Sequence, residues 1–250
     1  MDIHGKTALI TGGAHRVGKA ITLALAQAGA NVVINYHSSA QAAKETASEA
    51  RSLGVRALTV QADIAKNEQV KNMIQRAKKE LGSIDILINS ASLFRKTPFP
   101  TTDHSAWHQV TGIGIDGPYY CANAVAPDML ARGQGVIINI TDLSAFEPWP
   151  GFLAHSVSKA ALMALTRQLA LELAPAVRVN AVAPGPVLPP ENYSPELVDR
   201  IADKTLLGRW GTPEDVAEAV LYLIRADYVT GDVIFVDGGE RFGHQKHERG

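Results

Sequence analysis

Asp142, His155 and Lys159 bring a carboxylate, an imidazole and an ammonium close together along one chain. His155 and Lys159 stand four residues apart on a stretch of helical period, Ala154–Leu173, and residues at that spacing share one helical face. Asp142 lies thirteen residues before His155, within Asn139-Ile140-Thr141-Asp142. A neighbouring carboxylate favours the charged form of an imidazole, and a neighbouring ammonium opposes it. That balance suits a general acid working near neutral pH. We therefore expect Asp142 and His155 to form a proton-delivery pair, with Lys159 directed into the same space.

A second group of residues suits a phosphate. The apolar run Thr7–Thr11 leads into Gly12-Gly13-Ala14-His15-Arg16-Val17-Gly18. Glycines let the backbone turn sharply and approach a pyrophosphate, whose charge meets the N-terminus of the following helix. Gly12, His15, Arg16, Val17 and Gly18 are the candidate contacts. A carboxylate at the end of the second strand would hold the 2′-hydroxyl of NAD and repel a 2′-phosphate. The chain has Asn35-Tyr36-His37-Ser38-Ser39 there, with no carboxylate before Glu45. Tyr36, His37, Ser38 and Ser39 can donate hydrogen bonds to a phosphate, and Arg16 lies on the adjacent turn. The expected cofactor is NADP(H). His37 and the serines would also suit the cap of the next helix.

Both groups need a frame, and the chain alternates short apolar runs with longer helical segments. Strands are predicted at Thr7–Thr11, Asn31–Asn35, Ala57–Gln61, Ile84–Asn89, Gly135–Ile140, Val177–Ala183 and Asp232–Val236. Helices are predicted at Val17–Ala28, Gln41–Leu53, Asn67–Leu81, His104–Ala131, Ala154–Leu173 and Pro213–Leu223. Several strand runs are nearly unbroken Val, Ile and Leu, as when helices cover both sheet faces. The expectation is one α/β domain over residues 1–250, a Rossmann-like, doubly wound parallel sheet of about seven strands flanked by helices. Pro184–Lys204 is proline-rich and weakly periodic, so it reads as a functional loop with a short helix. The polar tail Glu240–Gly250 is expected to fray.

Composition narrows the partners. A formal net charge of −1 gives no electrostatic case for nucleic acid or an anionic membrane. No apolar run is long enough to span a bilayer, and residues 1–10 lack the order of a signal peptide. The expected setting is cytoplasmic, with a small-molecule substrate as partner. Cys121 is the only cysteine, which leaves no internal disulfide and no cysteine-based cluster. No catalytic metal is expected.

Four motifs then carry a resemblance. The order Thr11-Gly12-x-x-x-Arg16-x-Gly18, Asp63 after Val60-Gln61-Ala62, Asn89-Ser90-Ala91-Ser92, and Asn180-Ala181-Val182-Ala183-Pro184-Gly185-Pro186 together resemble the short-chain dehydrogenase/reductase superfamily. The resemblance runs from Gly5 to Arg241. It implies an NADP-dependent oxidoreductase with cofactor contacts at Asp63, Ile64, Asn89, Ser90 and Ala91. Pro184, Gly185 and Val187 would flank the nicotinamide, and Lys159 would hold its ribose. The superfamily's tyrosine, four residues before the lysine, is here His155. Its asparagine, three residues before Gly117, is here Gly114. Gly112 and Gly114 would each weaken a helix by roughly 1 kcal/mol relative to alanine. Either the proton path is rerouted, or catalysis has given way to binding. The resemblance also implies a homotetramer or homodimer, for which the apolar segments Ala122–Met129 and Ala160–Leu173 are suited.

Arg16 in the glycine turn and Asp142 in place of a serine resemble the pteridine reductase branch. That resemblance implies that Arg16 touches both pyrophosphate and substrate, that Asp142 helps protonate a pterin ring, and that Phe94 stacks on it. Arg16, Ser92 and Asp142 offer the donors and acceptors a 2-amino-4-oxo pyrimidine edge requires. His155 would face the ring, and Pro186 and Leu188, in the run Leu188-Pro189-Pro190-Glu191, would close over it. Trp149, Pro150 and Phe152 would line the same cleft, although core packing explains them equally well. The leading reading is an NADPH-dependent reductase of a dihydropterin, a dihydrofolate or a related planar carbonyl or imine. A 3-oxoacyl, sugar or quinone reductase is the second reading, and a catalytically silent NADP(H)-binding protein the third.

Overall fold

A computed structural model of the chain describes residues 1–190 and 192–245. Seven strands form one parallel sheet: β1 (Thr7–Thr11), β2 (Asn31–Tyr36), β3 (Ala57–Gln61), β4 (Ile86–Asn89), β5 (Gly135–Ile140), β6 (Val177–Pro184) and β7 (Val233–Val236). Their order across the sheet is β3-β2-β1-β4-β5-β6-β7. The order reverses between β1 and β4, which opens a crevice beyond the C-terminal ends of these strands. The expected single α/β domain with a seven-stranded sheet is therefore present.

Alternation along the strands builds two cores. Ala8, Ile10, Ile34, Ile88 and Ile138 pack on one face against Ile21, Leu25, Val220 and Ile224. Leu9, Val33, Leu87, Ile137 and Val179 pack on the other against Val70, Met73, Val125 and Met129. The first core is covered by α1 (Arg16–Gln27), α2 (Ala40–Ser52) and α8 (Pro213–Arg225). The second is covered by α3 (Asn67–Leu81), α5 (Gly117–Ala131) and α6 (Leu153–Leu173). Among the described residues no helix is long and apolar enough to cross a membrane.

One expected helix does not form as a single piece. The segment predicted as His104–Ala131 is α4 (Ser105–Thr111), a π-helical turn at Gly112–Asp116, and then α5. The glycines explain the break. A Cβ on Gly114 would lie 2.6 Å from Ser158 Oγ, and one on Gly117 would lie 2.6 Å from Ile64 Cδ1. Bare backbone at these positions lets the widened turn press against α6 and the end of β3. Single π turns of this kind recur at functional sites.

Within Pro184–Lys204 the chain forms α7 (Pro195–Ala202), capped by Ser194, whose hydroxyl accepts from Leu197 N at 3.3 Å. Of the tail, Glu240–Gln245 forms a short 3-10 helix, with the Arg241 guanidinium 3.9 Å over the Phe235 ring. Glu191 and residues 246–250, which belong to the proline-rich motif and the tail, lie outside the described residues.

Candidate active site

The turn between β1 and α1 is shaped by glycine. Gly12 has φ +63°, and a Cβ there would lie 2.9 Å from Ala91 Cα. A Cβ on Gly18 would lie 2.2 Å from the Gly12 carbonyl oxygen. The turn is fixed from both sides. Thr11 Oγ1 accepts from Ser90 N at 3.0 Å and Ala91 N at 3.1 Å, which ties it to the end of β4. Asn35 Oδ1 accepts from Gly12 N at 3.4 Å, and the Asn35 carbonyl accepts from Gly13 N at 3.2 Å. Helix α1 then begins with no side-chain cap, so its first amides remain for an anion. Exposed His15 and Arg16 flank this end, with Val17 half-buried beside them. Such a cradle fits a pyrophosphate.

Beyond β2, His37 and Ser38 are exposed, while Tyr36 and Ser39 are half-buried. No acidic side chain stands among them. Asn35 is already engaged, because its amide also donates to the Ala62 carbonyl at 3.0 Å. Asp63 is half-buried and its Oδ1 accepts from Ala65 N at 3.0 Å. Ile64 is buried against Gly117. Asn89 is buried too, and opens a polar chain through the centre of the fold. Its amide donates to Asn139 Oδ1 at 2.9 Å, the Asn139 amide donates to Thr166 Oγ1 at 2.8 Å, and Thr166 Oγ1 donates to the Leu162 carbonyl at 2.8 Å.

The chemical end gathers beyond β5. Asp142 caps a 3-10 turn, Leu143–Ala145, where its Oδ1 accepts from Ser144 N at 2.9 Å and from Ser144 Oγ at 2.5 Å. Its Oδ2 lies 2.7 Å from His155 Nε2, so with the proton on Nε2 the imidazole donates to the carboxylate. Burial pushes the Asp142 carboxyl up, but the His155 hydrogen bond, the Lys159 charge and the Ser144 hydroxyl outweigh it. The net effect holds the carboxyl below the usual carboxylate range. The His155 side chain is 4% exposed and that of Asp142 17%, so the carboxylate presents the open side of the pair. His155 Nδ1 is buried without a partner.

Lys159 follows one turn later and is buried. Its Nζ donates to the Ile140 carbonyl at 2.9 Å. Burial lowers its pKa, the Asp142 charge opposes that, and the ammonium stays below the ordinary lysine range. Aromatic rings surround the pair. Trp149 lies parallel to His155 with centroids 6.0 Å apart, and Phe94 stands edge-on to it at 5.1 Å. Phe94 stacks on Phe152 at 4.3 Å, which occupies one of its two faces. It remains 53% exposed, beside exposed Ser92. The loop carrying Phe94 is anchored where Thr97 Oγ1 accepts from Ala154 N at 3.0 Å.

The connection after β6 closes the outline. Pro184 is buried in the strand, and a Cβ on Gly185 would lie 2.8 Å from Asp237 Cα. Val187 joins the first core and Pro186 accepts from Gly211 N at 2.9 Å. Leu188 accepts from Arg16 Nη2 at 2.8 Å. Thus His155 meets both Asp142 and Phe94, Lys159 follows one turn later on the same helix, and Arg16 reaches the Pro186–Leu188 loop. Sequence reasoning did not single out Thr11, Asn35 or Ser144. Ser144, two residues beyond Asp142, carried the one usable signal, since Asp-x-Ser favours a local turn. His104 and His108 stand four apart, but no group of three possible metal ligands occurs among the described residues.

The fold and the glycine turn define a dinucleotide-type α/β protein. A family model described as enoyl-(acyl carrier protein) reductase matches residues 12–240. The 3-oxoacyl-[acyl-carrier-protein] reductase of Staphylococcus epidermidis is 34% identical over 239 residues, covering 94% of this chain and 98% of its own. The 3beta-hydroxysteroid dehydrogenase 1 of Eggerthella lenta is 37% identical over 248 residues, covering 95% and 94%. Among solved structures, FolM alternative dihydrofolate reductase 1 from Brucella canis complexed with NADP superposes with a TM-score of 0.90 at 33% identity, covering 99% of this chain and 97% of that one. The chain belongs to the short-chain dehydrogenase/reductase family and is one of its oxidoreductases.

Proposed function

We propose that this chain is an NADPH-dependent reductase of a pteridine-like ring, a dihydropterin or dihydrofolate, or of a related planar carbonyl or imine. The observation that carries the proposal is the 2.7 Å contact between Asp142 Oδ2 and His155 Nε2, framed by Phe94 and Trp149. Gly12, Gly18 and the start of α1 would hold the pyrophosphate, and His15, His37, Ser38 and Ser39 would surround the 2′-phosphate. Asp63, Ile64, Ser90 and Ala91 would shape the adenosine side. Pro184, Gly185 and Val187 would flank the nicotinamide, and Lys159 its ribose. When bound, NADPH supplies the hydride. The pair would supply the proton: one taken up from solvent is shared between His155 Nε2 and Asp142 Oδ2, and its delivery to the ring leaves a neutral imidazole beside the carboxylate. Solvent reaches the Asp142 side and can restore the proton. Phe94 offers its uncovered face to a ring, while Ser92, Arg16, Pro186 and Leu188 border it.

The relative that reduces 3-oxoacyl groups on acyl carrier protein supports a second reading, reduction of another carbonyl substrate. Gly114 supports a third, binding without turnover. NADPH oxidation followed spectrophotometrically with dihydropterin, dihydrofolate and a 3-oxoacyl thioester, from about pH 5 to about pH 8, separates them. Turnover with the pterin or folate substrate, lost in His155→Ala, is the expected result. Turnover with the thioester alone would replace the substrate assignment. Saturable NADPH binding with no turnover on any of them would leave the silent reading. Assembly as a homodimer or homotetramer is proposed through α6, where Leu153, Val157 and Leu171 are exposed, and sedimentation velocity tests it.

A further inference from the structure

We propose that Thr97 caps α6 from outside the helix, so that the loop bearing Phe94 and the first turn bearing His155 hold their places as one unit. The inference rests on the reductase reading above and makes Thr97 a positioning residue for its proton-delivery pair. Helix α6 opens without a cap of its own. Its N-cap residue is Phe152, whose side chain makes no capping hydrogen bond, and the first amides of a helix find no partner inside it. Thr97 supplies one from 57 positions away, where its Oγ1 accepts from Ala154 N at 3.0 Å. An N-cap threonine makes the same bond to the second or third helical amide, and Ala154 is the second residue of α6. Thr97 is 5% exposed and Ala154 0%, so water cannot stand in for the hydroxyl and its loss would leave a buried amide unpaired.

The two segments meet at more than this bond. Thr97 N donates to the Gly151 carbonyl at 2.8 Å, and Thr97 pairs with Phe152 in a short parallel bridge. Their rings meet as well, with Phe94 stacked on Phe152 at 4.3 Å and edge-on to His155 at 5.1 Å. Little else aims the imidazole. Its Nε2 lies against Asp142 Oδ2, its Nδ1 has no partner, and its backbone belongs to the turn that Thr97 closes. A fraying first turn would therefore carry His155 away from Asp142. A ring seated against Phe94 would bear on the same unit, which ties the place of the substrate to the aim of the proton-delivery pair.

Thr97→Val removes the acceptor at nearly constant volume, and Thr97→Ser keeps it. The backbone bond to Gly151 survives in both, as does the bond from Trp149 N to Ser156 Oγ at 3.2 Å, so both variants should fold. Hydrogen exchange measured by mass spectrometry on the full chain compares peptides spanning residues 92–99 and 149–157 with one spanning the glycine turn. In Thr97→Val the first two should exchange about tenfold faster, the weight of a lost cap, while the glycine turn stays as in the wild type. Thr97→Ser should follow the wild type throughout. With a substrate that the wild type reduces, Thr97→Val should lower kcat about tenfold and change the NADPH dissociation constant less than about twofold, and Thr97→Ser should restore kcat. Faster exchange in neither peptide, in only one of them, or equally in the glycine turn would overturn the inference, as would an unchanged kcat. A wild type that reduces no pterin, folate or thioester substrate would remove the reductase reading, and exchange would still decide whether Thr97 joins the two segments.

Discussion

Gly114 lies so close to Ser158 that a Cβ at position 114 would sit 2.6 Å from Ser158 Oγ and 2.7 Å from Ser158 Cβ. Ser158 immediately precedes Lys159 and donates to the His155 carbonyl at 2.8 Å. The π turn and α6 are therefore fitted to one another at a glycine. The asparagine that the superfamily carries here would not fit without moving α6.

Gly114→Ala should consequently destabilise the protein. Helix propensity alone would favour alanine by about 1 kcal/mol, whereas overpacking a fitted contact costs about 1–3 kcal/mol. We expect a net loss of about 1 kcal/mol in urea unfolding. Adding Ser158→Gly should recover part of it, giving a favourable coupling in a double-mutant cycle. Additive effects would show that the contact is not tight.

Asp142→Asn should separate chemistry from binding. Its amide can still fill the space, but it no longer accepts on Oδ2 as a carboxylate does and no longer orients the His155 ring. We expect kcat to fall by about 10²-fold or more, with the NADPH dissociation constant changed less than about threefold, within the scatter of a 0.7 kcal/mol effect. Unchanged kcat would remove Asp142 from the proton path.

Lys159 gives a pH dependence of stability with a definite sign. Its folded pKa is lowered, so between the folded value and the unfolded value of about 10.4 the unfolded chain binds more protons. Wild-type stability should therefore rise, relative to Lys159→Met, as pH climbs through that window, and the difference should be flat below it. Urea midpoints at several pH values between about 7 and 10 report this directly. A difference that shrinks as pH rises would contradict the buried, partly compensated ammonium.

The end of β2 should choose the cofactor. With His37 and Ser38 exposed and no carboxylate beside them, calorimetric titration should show NADPH bound at least about tenfold tighter than NADH, or 1.4 kcal/mol. Ser38→Asp should narrow or reverse that preference by repelling the 2′-phosphate. Equal affinities in the wild type would place the discrimination elsewhere.

Most of the frame was legible because its signals are local. Short apolar runs marked the strands, several of them nearly unbroken, and strands such as Thr7–Thr11 and Gly135–Ile140 fall where their runs begin and end. The pairing of Asp142 with His155 was also within reach, since one follows a strand and the other opens a helix aimed back at it. What escaped depends on long-range fit. The helix over residues 104–131 breaks because Gly114 meets Ser158, a contact with no trace in either segment alone. Asn35 stood in the sequence only as the start of a segment facing a phosphate, yet the glycine turn and the Ala62 carbonyl both claim its amide group. The bond from Arg16 to Leu188 joins two segments whose nearness only the sheet order creates.

That sheet order also bears on how the chain is made. β1 pairs with β2 on one side and with β4 on the other, through Ala8 with Ile86, Leu9 with Leu87 and Ile10 with Ile88. During synthesis, β2 emerges soon after β1, but β4 follows only once α2, β3 and α3 have been made. Over that interval a growing chain carries an open strand edge of Ala, Leu and Ile, the kind that recruits other strands. Thr11 would have no Ser90 or Ala91 amide to accept from, so the glycine turn would lack one of its two anchors. A ribosome stalled before Ile86 would hold a chain both sticky and unable to grip its cofactor. NADPH could therefore rescue misfolding only of chains that have passed that point.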